Sequence, residues 1–157
     1  MDYPEPLQDL LDTFATLDDP SERAQVLISF SDQFTSVPPE VATRPFAKDH
    51  LVPACESEAY VWAVLQPDDT MQLHFAVENP SGISARALAT MLTRTLSGLT
   101  PAEIATVSPE IVERLFRQNI SMGKGMGLMS MVGAVRTLAQ RAQGIEAKPP
   151  SAVSNPR

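Results

Sequence analysis

Hydrophobic residues recur every three or four positions in the first part of the chain. Leucine and phenylalanine line one side of residues 6–17, which predicts an amphipathic helix. A second helix is predicted to begin after Asp19, because aspartate caps free backbone amides and Pro20 suits the first helical position. Proline cannot continue a helix, so Pro38 and the rest of residues 37–49 are predicted to form a loop.

The hydrophobic period changes to two in the middle of the chain. Residues 59–65 are rich in β-branched and aromatic side chains, and residues 71–77 alternate apolar with polar side chains. These two runs predict a β-hairpin across a turn at residues 67–70. Residues 50–52 are predicted to add a short third strand, which would place Cys55 in a tight connection between strands.

Helical spacing returns after the hairpin. Helices are predicted to begin at Ser84 and Ser108, and Thr100 with Glu103 matches a capping box for a helix between them. Residues 119–127 are rich in glycine, which favours an irregular loop between helices.

A last helix is predicted from about residue 128 to residue 142, where helical spacing resumes. Residues 145–157 contain three prolines and little to bury, so they are predicted to be a disordered tail on one domain of residues 1–144. The whole pattern predicts the α+β class, with a small three-stranded antiparallel sheet and helices packed on one face.

Charge and composition narrow the expected partners and compartment. The chain has a formal net charge of −7 and no cluster of lysine or arginine, so neither nucleic acid nor an anionic membrane surface is an expected partner. The first residues lack the features of a secretory signal, and no apolar run reaches the length of a spanning helix. The single cysteine cannot form an internal disulfide, and a cytoplasmic protein is expected.

Cys55 is the main candidate for chemistry. A free cysteine is most often a small buried hydrophobe, but residues 53–58 are short, polar and bounded by strand-like runs, which predicts a loop tip that a partner can reach. The negative charges of Asp49, Glu56 and Glu58 disfavour a thiolate, so Cys55 is expected to need its partner's surroundings for activation. This favours a carrier over a stand-alone cysteine hydrolase.

The other candidate groups carry weaker signals. His50 and His74 are possible bases for Cys55, but their spacing orients neither imidazole, and His74 falls on the outward phase of a strand where we expect it to be solvated. One cysteine and two histidines fall short of a zinc site and of an iron–sulfur cluster site, so no metal and no resident cofactor is predicted.

The segment after residue 120 combines glycine and methionine. Residues 123–127 do not match a phosphate-binding loop, although Lys124 within them could place a cation near a sulfur anion. The methionines there are interpreted as adaptable core filling, with a methionine-rich docking surface as the alternative. They are Met122, Met126, Met129 and Met131.

Residues 52–62, VPACESEAYVW, resemble a V-x-G-C-x-S-x-V-W signature, and residues 124–128 resemble an R-x-x-G-L segment. Both belong to the SufE family of sulfur-acceptor proteins, which work with type II cysteine desulfurases, so the chain resembles this family. The resemblance extends over most of residues 7–142. Ala54 stands where the family often has glycine, and Lys124 replaces arginine, which loses bidentate geometry.

The resemblance implies an α+β fold in which Cys55 carries a persulfide. The desulfurase, a pyridoxal phosphate enzyme, would transfer sulfur from L-cysteine to Cys55, and the sulfur would pass on to an iron–sulfur scaffold complex. By accepting this sulfur, the chain would also act as an activator that increases the turnover of the desulfurase. The pyridoxal phosphate belongs to the partner, and the chain itself is expected to be a monomer or a homodimer. The residues expected to support the loop or bind the partner are His50, Val52, Ala54, Glu56, Ser57 and Lys124.

Two rival functions remain open from the sequence. A cysteine-dependent hydrolase or transferase would use Cys55 with His50 and would turn over an ester or thioester without a partner. A protein-binding adaptor would leave Cys55 inert and would dock its partner through the methionine- and glycine-rich segment, so that binding would survive Cys55→Ala.

Overall fold

Two helices open the fold, and local sequence sets where they begin. In a computed structural model that describes residues 3–144, helix α1 spans Glu5–Ala15 and α2 spans Pro20–Asp32. The carboxylate of Asp19 accepts a hydrogen bond from the backbone amide of Ser21, as expected of a helix cap. Both helices therefore confirm the sequence prediction.

A buried arginine, which the sequence pattern did not reveal, ties these helices to the rest of the molecule. Arg23 on α2 is only 1% exposed. Its guanidinium donates to the carbonyls of Phe14 and Leu17, at 2.6 and 2.7 Å, and to the carbonyl of Leu115 at 2.7 Å. Burial is the main cause that lowers the pKa of Arg23 below its usual value.

The predicted hairpin is confirmed, but the predicted third strand is wrong. Strands β1, Ala59–Leu65, and β2, Met71–Val77, pair antiparallel. Residues 48–50 instead form a short 3-10 turn, and only an isolated bridge joins Leu51 to Tyr60. Pairing with β1 does not extend past this bridge because the amides of His50 and Leu51 donate to the carbonyls of Ala47 and Lys48 within the 3-10 turn.

The two faces of the hairpin are covered differently. Helix α3, Ile83–Leu96, packs with the other helices against one face and forms the main core. The second face is covered by the loop that precedes the 3-10 turn, where the ring of Phe46 lies 5.2 Å from Tyr60 and 5.1 Å from Trp62. The α+β class is confirmed, with the helices on one face.

Of the three helices that follow the hairpin before α6, one starts at the predicted residues and two start near them. Helix α3 has Gly82 as its N-cap, so Ser84 lies inside the helix. Helix α4, Pro101–Ile104, has the predicted capping box. Helix α5, Ile111–Phe116, begins later than Ser108.

The glycine-rich segment is helical, which corrects the prediction of a loop at residues 119–127. Helix α6 spans Met122–Ala142, and the hydroxyl of Ser121 accepts a hydrogen bond from the amide of Lys124 at its start. Each glycine in a helix costs about 1 kcal/mol relative to alanine. The cap and the packing of α6 on the rest of the fold offset that cost, because α6 contacts β1, α4 and α5.

No helix in the described part of the chain is long and apolar enough to cross a membrane. The predicted tail, residues 145–157, lies outside the described residues.

Candidate functional site

Cys55 lies in a closed loop between the bridge at Leu51 and the start of β1. The amide of Val52 donates to the carbonyl of Ala59 over 2.8 Å and closes the base of the loop. Inside it, the amide of Glu58 donates to the carbonyl of Cys55 at 3.1 Å, which makes a tight turn. Val52 is buried, whereas Cys55 itself is half-buried. The loop therefore presents its cysteine from a fixed backbone.

The loop backbone adopts a conformation that glycine favours. Ala54 has φ of 58° and Glu58 has φ of 52°, both in the left-handed region. This region costs an L-residue with a side chain about 1–2 kcal/mol. Ala54 thus holds a backbone angle that glycine adopts without this cost.

Helix α6 supports the loop from one side. A Cβ atom added to Gly127 would lie 3.3 Å from both the carbonyl oxygen of Ala54 and the Cα of Cys55, and 3.8 Å from the Cys55 Sγ. The hydroxyl of Ser130 donates a hydrogen bond to the carbonyl of Pro53. Gly127 and Ser130 are three residues apart and share one helix face. If the segment had been recognised as a helix, helical spacing would have placed these two residues on the same face.

The end of β2 supports the loop from the other side. Ser57 is buried, and its carbonyl accepts a hydrogen bond from the amide of Asn79 at 3.1 Å. The carbonyl of Glu58 accepts from the amide of Glu78 at 3.1 Å. A Cβ atom at Gly82 would lie 3.3 Å from the Ser57 Cβ, so this turn packs closely on the loop. Ser57 therefore joins the loop to the end of β2 through its main-chain carbonyl.

The histidines are held in place by other partners. The Nδ1 atom of His50 lies 3.0 Å from the carbonyl oxygen of Val61, and its ring stacks on Trp62 at 5.1 Å. His74 is half-buried, which corrects the expectation that it is solvated, and burial lowers its pKa despite the opposing effect of Glu40. Within the described residues, no hydrogen bond joins either imidazole to Cys55.

The charged neighbours of the loop are mostly exposed. Glu56 projects from the loop, and the Glu58 carboxylate accepts a hydrogen bond from the Tyr60 hydroxyl at 3.2 Å. Lys124 is half-buried and lies one helical turn before Gly127, on the same face of α6. In residues 3–144, no group of three or more histidine, cysteine or acidic residues could hold a metal ion.

The outer surface of the loop is open. A depression of about 440 Å³ is lined by loop residues, including Pro53, Ala54, Cys55 and Glu56. A partner's side chain or extended loop can therefore reach Cys55 from this side, while α6 closes the other side. The arrangement suits transfer of a small group between two proteins.

The methionines form a surface, which corrects the preferred interpretation of core filling. Met122, Met126 and Met129 are 85%, 65% and 42% exposed, and only Met131 is buried. The three exposed residues are spaced four and three positions apart, so they share one face of α6.

Comparison with known proteins agrees with this geometry. Residues 8–139 match the model of the SufE family, described as the Fe-S metabolism associated domain. The solution structure of a hypothetical protein from Thermus thermophilus superposes with a TM-score of 0.72 at 22% sequence identity, over 91% of this chain and 99% of that one. No protein with a curated description matches the chain.

The likeness to the Thermus structure shows a shared fold. The family match extends from α1 into α6 and includes Cys55 with the whole loop that holds it. The chain therefore belongs to the SufE family and has a role in iron–sulfur metabolism.

Proposed function

We propose that the protein accepts sulfur on Cys55 from a cysteine desulfurase and passes it on for iron–sulfur cluster assembly. The observation that carries the proposal is the placement of Cys55. It is the single cysteine of the chain, it is half-buried between α6 and an open depression, and its loop is fixed from two sides. The pyridoxal phosphate cofactor belongs to the desulfurase.

The transfer step balances without an external oxidant or reductant. The Cys55 thiolate attacks the outer sulfur of a persulfide on the desulfurase cysteine. The new S–S bond forms on Cys55 as the old one breaks, and the electron pair leaves with the desulfurase thiolate. A second attack by a thiolate of the downstream acceptor then removes the sulfur from Cys55. The proposed chemistry needs a compartment that keeps Cys55 reduced, which agrees with the cytoplasm expected from the sequence.

The environment of His50 favours this function over a cysteine hydrolase. A hydrolase needs a base within hydrogen-bond reach of the thiol whose proton it takes. His50 directs Nδ1 to a main-chain carbonyl and stacks on Trp62, and within the described residues no hydrogen bond joins its imidazole to the Cys55 thiol. Activation of Cys55 is therefore left to the partner.

The test is intact mass spectrometry after incubation with a type II cysteine desulfurase and L-cysteine. We expect the wild-type protein to gain one sulfur atom and the Cys55→Ala variant to gain none. A failure of the wild type to gain sulfur from several such desulfurases would contradict the proposal.

The exposed methionines require one additional control. Two oxygen atoms have nearly the mass of one sulfur atom, so oxidation of Met122 and Met126 would imitate the product. A thiol reductant removes persulfide sulfur but leaves methionine sulfoxide intact. The expected gain must therefore disappear on treatment with dithiothreitol.

A protein-binding adaptor is the second candidate, because three methionines are exposed on one face of α6. One variant distinguishes the two candidate functions. If Cys55→Ala stimulates the desulfurase as well as the wild type does, Cys55 is not a carrier and the adaptor is favoured.

A further inference from the structure

The turn that leads into Cys55 is defined by its two central residues. These are Pro53 and Ala54, and Ala54 has φ of 58°. The proline ring holds its own φ at about −65°, so the first central residue cannot adopt a positive φ. A turn with a positive φ only at its second central residue is of type II. The turn type fixes the orientation of the peptide that joins Pro53 to Ala54.

One hydrogen bond from α6 holds this peptide in that orientation. The hydroxyl of Ser130 donates to the carbonyl of Pro53. Within the described residues, it is the sole hydrogen bond to the peptide between Pro53 and Ala54. Gly127 lies one helical turn before Ser130 and lets the loop approach α6 closely enough for the bond to form.

The other end of the same peptide faces the open side of the loop. The peptide bond is trans, so its carbonyl and its amide point in opposite directions. The carbonyl points to Ser130, and the amide of Ala54 consequently points away from α6. This amide has no hydrogen-bond partner in the part of the chain that the structure describes. The depression through which a partner reaches Cys55 lies on that side of the loop.

A second turn differs from this one by a single peptide. If the peptide between Pro53 and Ala54 turned over, the turn would become type I, in which φ of Ala54 is negative. That change would remove the backbone cost of the left-handed region at Ala54. It would also break the bond with Ser130 and direct the carbonyl of Pro53 toward the open side. The Ser130 hydroxyl therefore opposes the backbone preference of the alanine.

The direction of this peptide affects the proposed sulfur transfer because Cys55 reacts as an anion. The thiolate is the attacking species, and the persulfide that forms carries negative charge on its terminal sulfur when it is deprotonated. A backbone amide directed at developing negative charge stabilises it, whereas a carbonyl oxygen in the same place repels it. The type II turn therefore suits the reaction better than the type I turn.

We propose that Ser130 is a positioning residue for sulfur transfer. By holding the carbonyl of Pro53 on α6, it keeps the amide of Ala54 turned toward the side on which Cys55 reacts. Its effect on the transfer rests on the proposed function, whereas its effect on the turn does not. The role depends on alanine at position 54, because glycine adopts a positive φ without cost and would hold the turn unaided.

Nuclear magnetic resonance measures the orientation of the peptide without a partner. The Hα atom of Pro53 lies close to the amide proton of Ala54 in a type II turn and farther away in a type I turn. We expect a strong nuclear Overhauser effect between these protons in the wild type and a weak one in Ser130→Ala. An unchanged signal in Ser130→Ala would overturn the proposal.

Thr137→Ala is the matched control for the loss of a hydroxyl from α6. Thr137 lies two helical turns after Ser130, and within the described residues it makes no hydrogen bond to the loop. We expect this variant to keep the strong signal between Pro53 and Ala54. An equal loss of signal in Thr137→Ala and Ser130→Ala would assign the effect to α6 in general and contradict the proposal.

The rate of sulfur gain is measured by intact mass at several desulfurase concentrations. We expect Ser130→Ala to lower the maximal rate about fivefold and to leave the half-saturating desulfurase concentration unchanged, because the residue acts through the loop. Alkylation of Cys55 by iodoacetamide requires no partner and should slow by a similar factor, since the thiolate is the nucleophile. Ser130→Thr retains the hydroxyl and should restore both rates.

The double variant Ala54→Gly/Ser130→Ala separates positioning from a general loss of stability. Glycine makes the positive φ free of cost, so we expect the strong signal to return and both rates to recover to within about twofold of the wild type. A loss that glycine does not rescue would overturn the proposal. Failure of the wild type to gain sulfur would instead contradict the proposed function, while the magnetic resonance and alkylation measurements would still test Ser130.

Discussion

Ala54 carries a backbone angle that its side chain disfavours, immediately before Cys55. Replacing it by glycine removes a cost of about 1–2 kcal/mol in the folded state but adds about 0.4–1 kcal/mol of chain entropy to the unfolded state. We expect Ala54→Gly to raise the free energy of unfolding by about 0.5 kcal/mol, measured by urea denaturation. Ala24→Gly, in the interior of helix α2, should lower it. A loss of stability in Ala54→Gly would show that the loop conformation is not strained.

The guanidinium of Arg23 donates hydrogen bonds to carbonyls at the C-terminal ends of α1 and α5, to which water would donate if these ends were exposed. Arg23→Met would remove the guanidinium donors from the carbonyls of Phe14, Leu17 and Leu115, while the amide of Leu17 would still donate to the carbonyl of Phe14. We expect a loss of roughly 3 kcal/mol in the free energy of unfolding, with only partial recovery in Arg23→Lys, because an ammonium cannot span the same acceptors.

Urea denaturation measures this loss, and Arg136→Met provides the control because Arg136 is exposed on α6. Equal stability of the Arg23→Met and Arg136→Met variants would contradict the structural role of Arg23.

Helix α6 packs closely against the Cys55 loop because Gly127 has no side chain. The methyl group of Gly127→Ala would lie 3.3 Å from the loop backbone, which is closer than most real Cβ contacts, so the loop must shift. We expect Gly127→Ala to slow sulfur acceptance at Cys55 at least fivefold in the intact-mass assay. We also expect it not to raise the free energy of unfolding, although alanine is a better helix former than glycine.

Gly123→Ala is the matched change on the same helix, where the new methyl group meets open space. It should leave sulfur acceptance unchanged and raise stability by up to about 1 kcal/mol, because alanine is the better helix former. Equal behaviour of the two variants would show that the contact of α6 with the loop has no role in the transfer.

The hairpin of β1 and β2 is buried between the helices on one face and the loop before the 3-10 turn on the other. This burial makes the stability of the protein depend on pH through His74. Burial lowers the pKa of His74 below its ordinary value of 6.5, so the unfolded state binds the proton more tightly. Stability should therefore fall as pH decreases from 6.5 through the lowered pKa. Thermal unfolding across this range measures the effect, and His74→Gln should remove it.

The carboxylate of Glu78 gives a separate dependence at lower pH. Its hydrogen bond with Arg44 lowers its pKa below 4.5, so its contribution is present above that value and is lost as pH falls further. A fall in stability between pH 6.5 and 5 that persists in His74→Gln would assign the effect to another group.

Local patterns in the chain were sufficient for much of the fold. The period of hydrophobic residues located α1, α2 and the hairpin, and the caps at Asp19 and Thr100 were recognisable because they involve residues only a few positions apart. The cysteine signature was likewise local, and the family match confirms the resemblance drawn from it.

Long-range packing determined the rest. Propensity alone predicts a loop at residues 119–127, but contacts of α6 with distant elements make most of this segment helical and bring Gly127 against the Cys55 loop. The burial of Arg23 and the exposure of the methionines depend equally on which elements meet in space. Such contacts join residues far apart in the chain, for example Ser130 with Pro53, so no local period or cap encodes them.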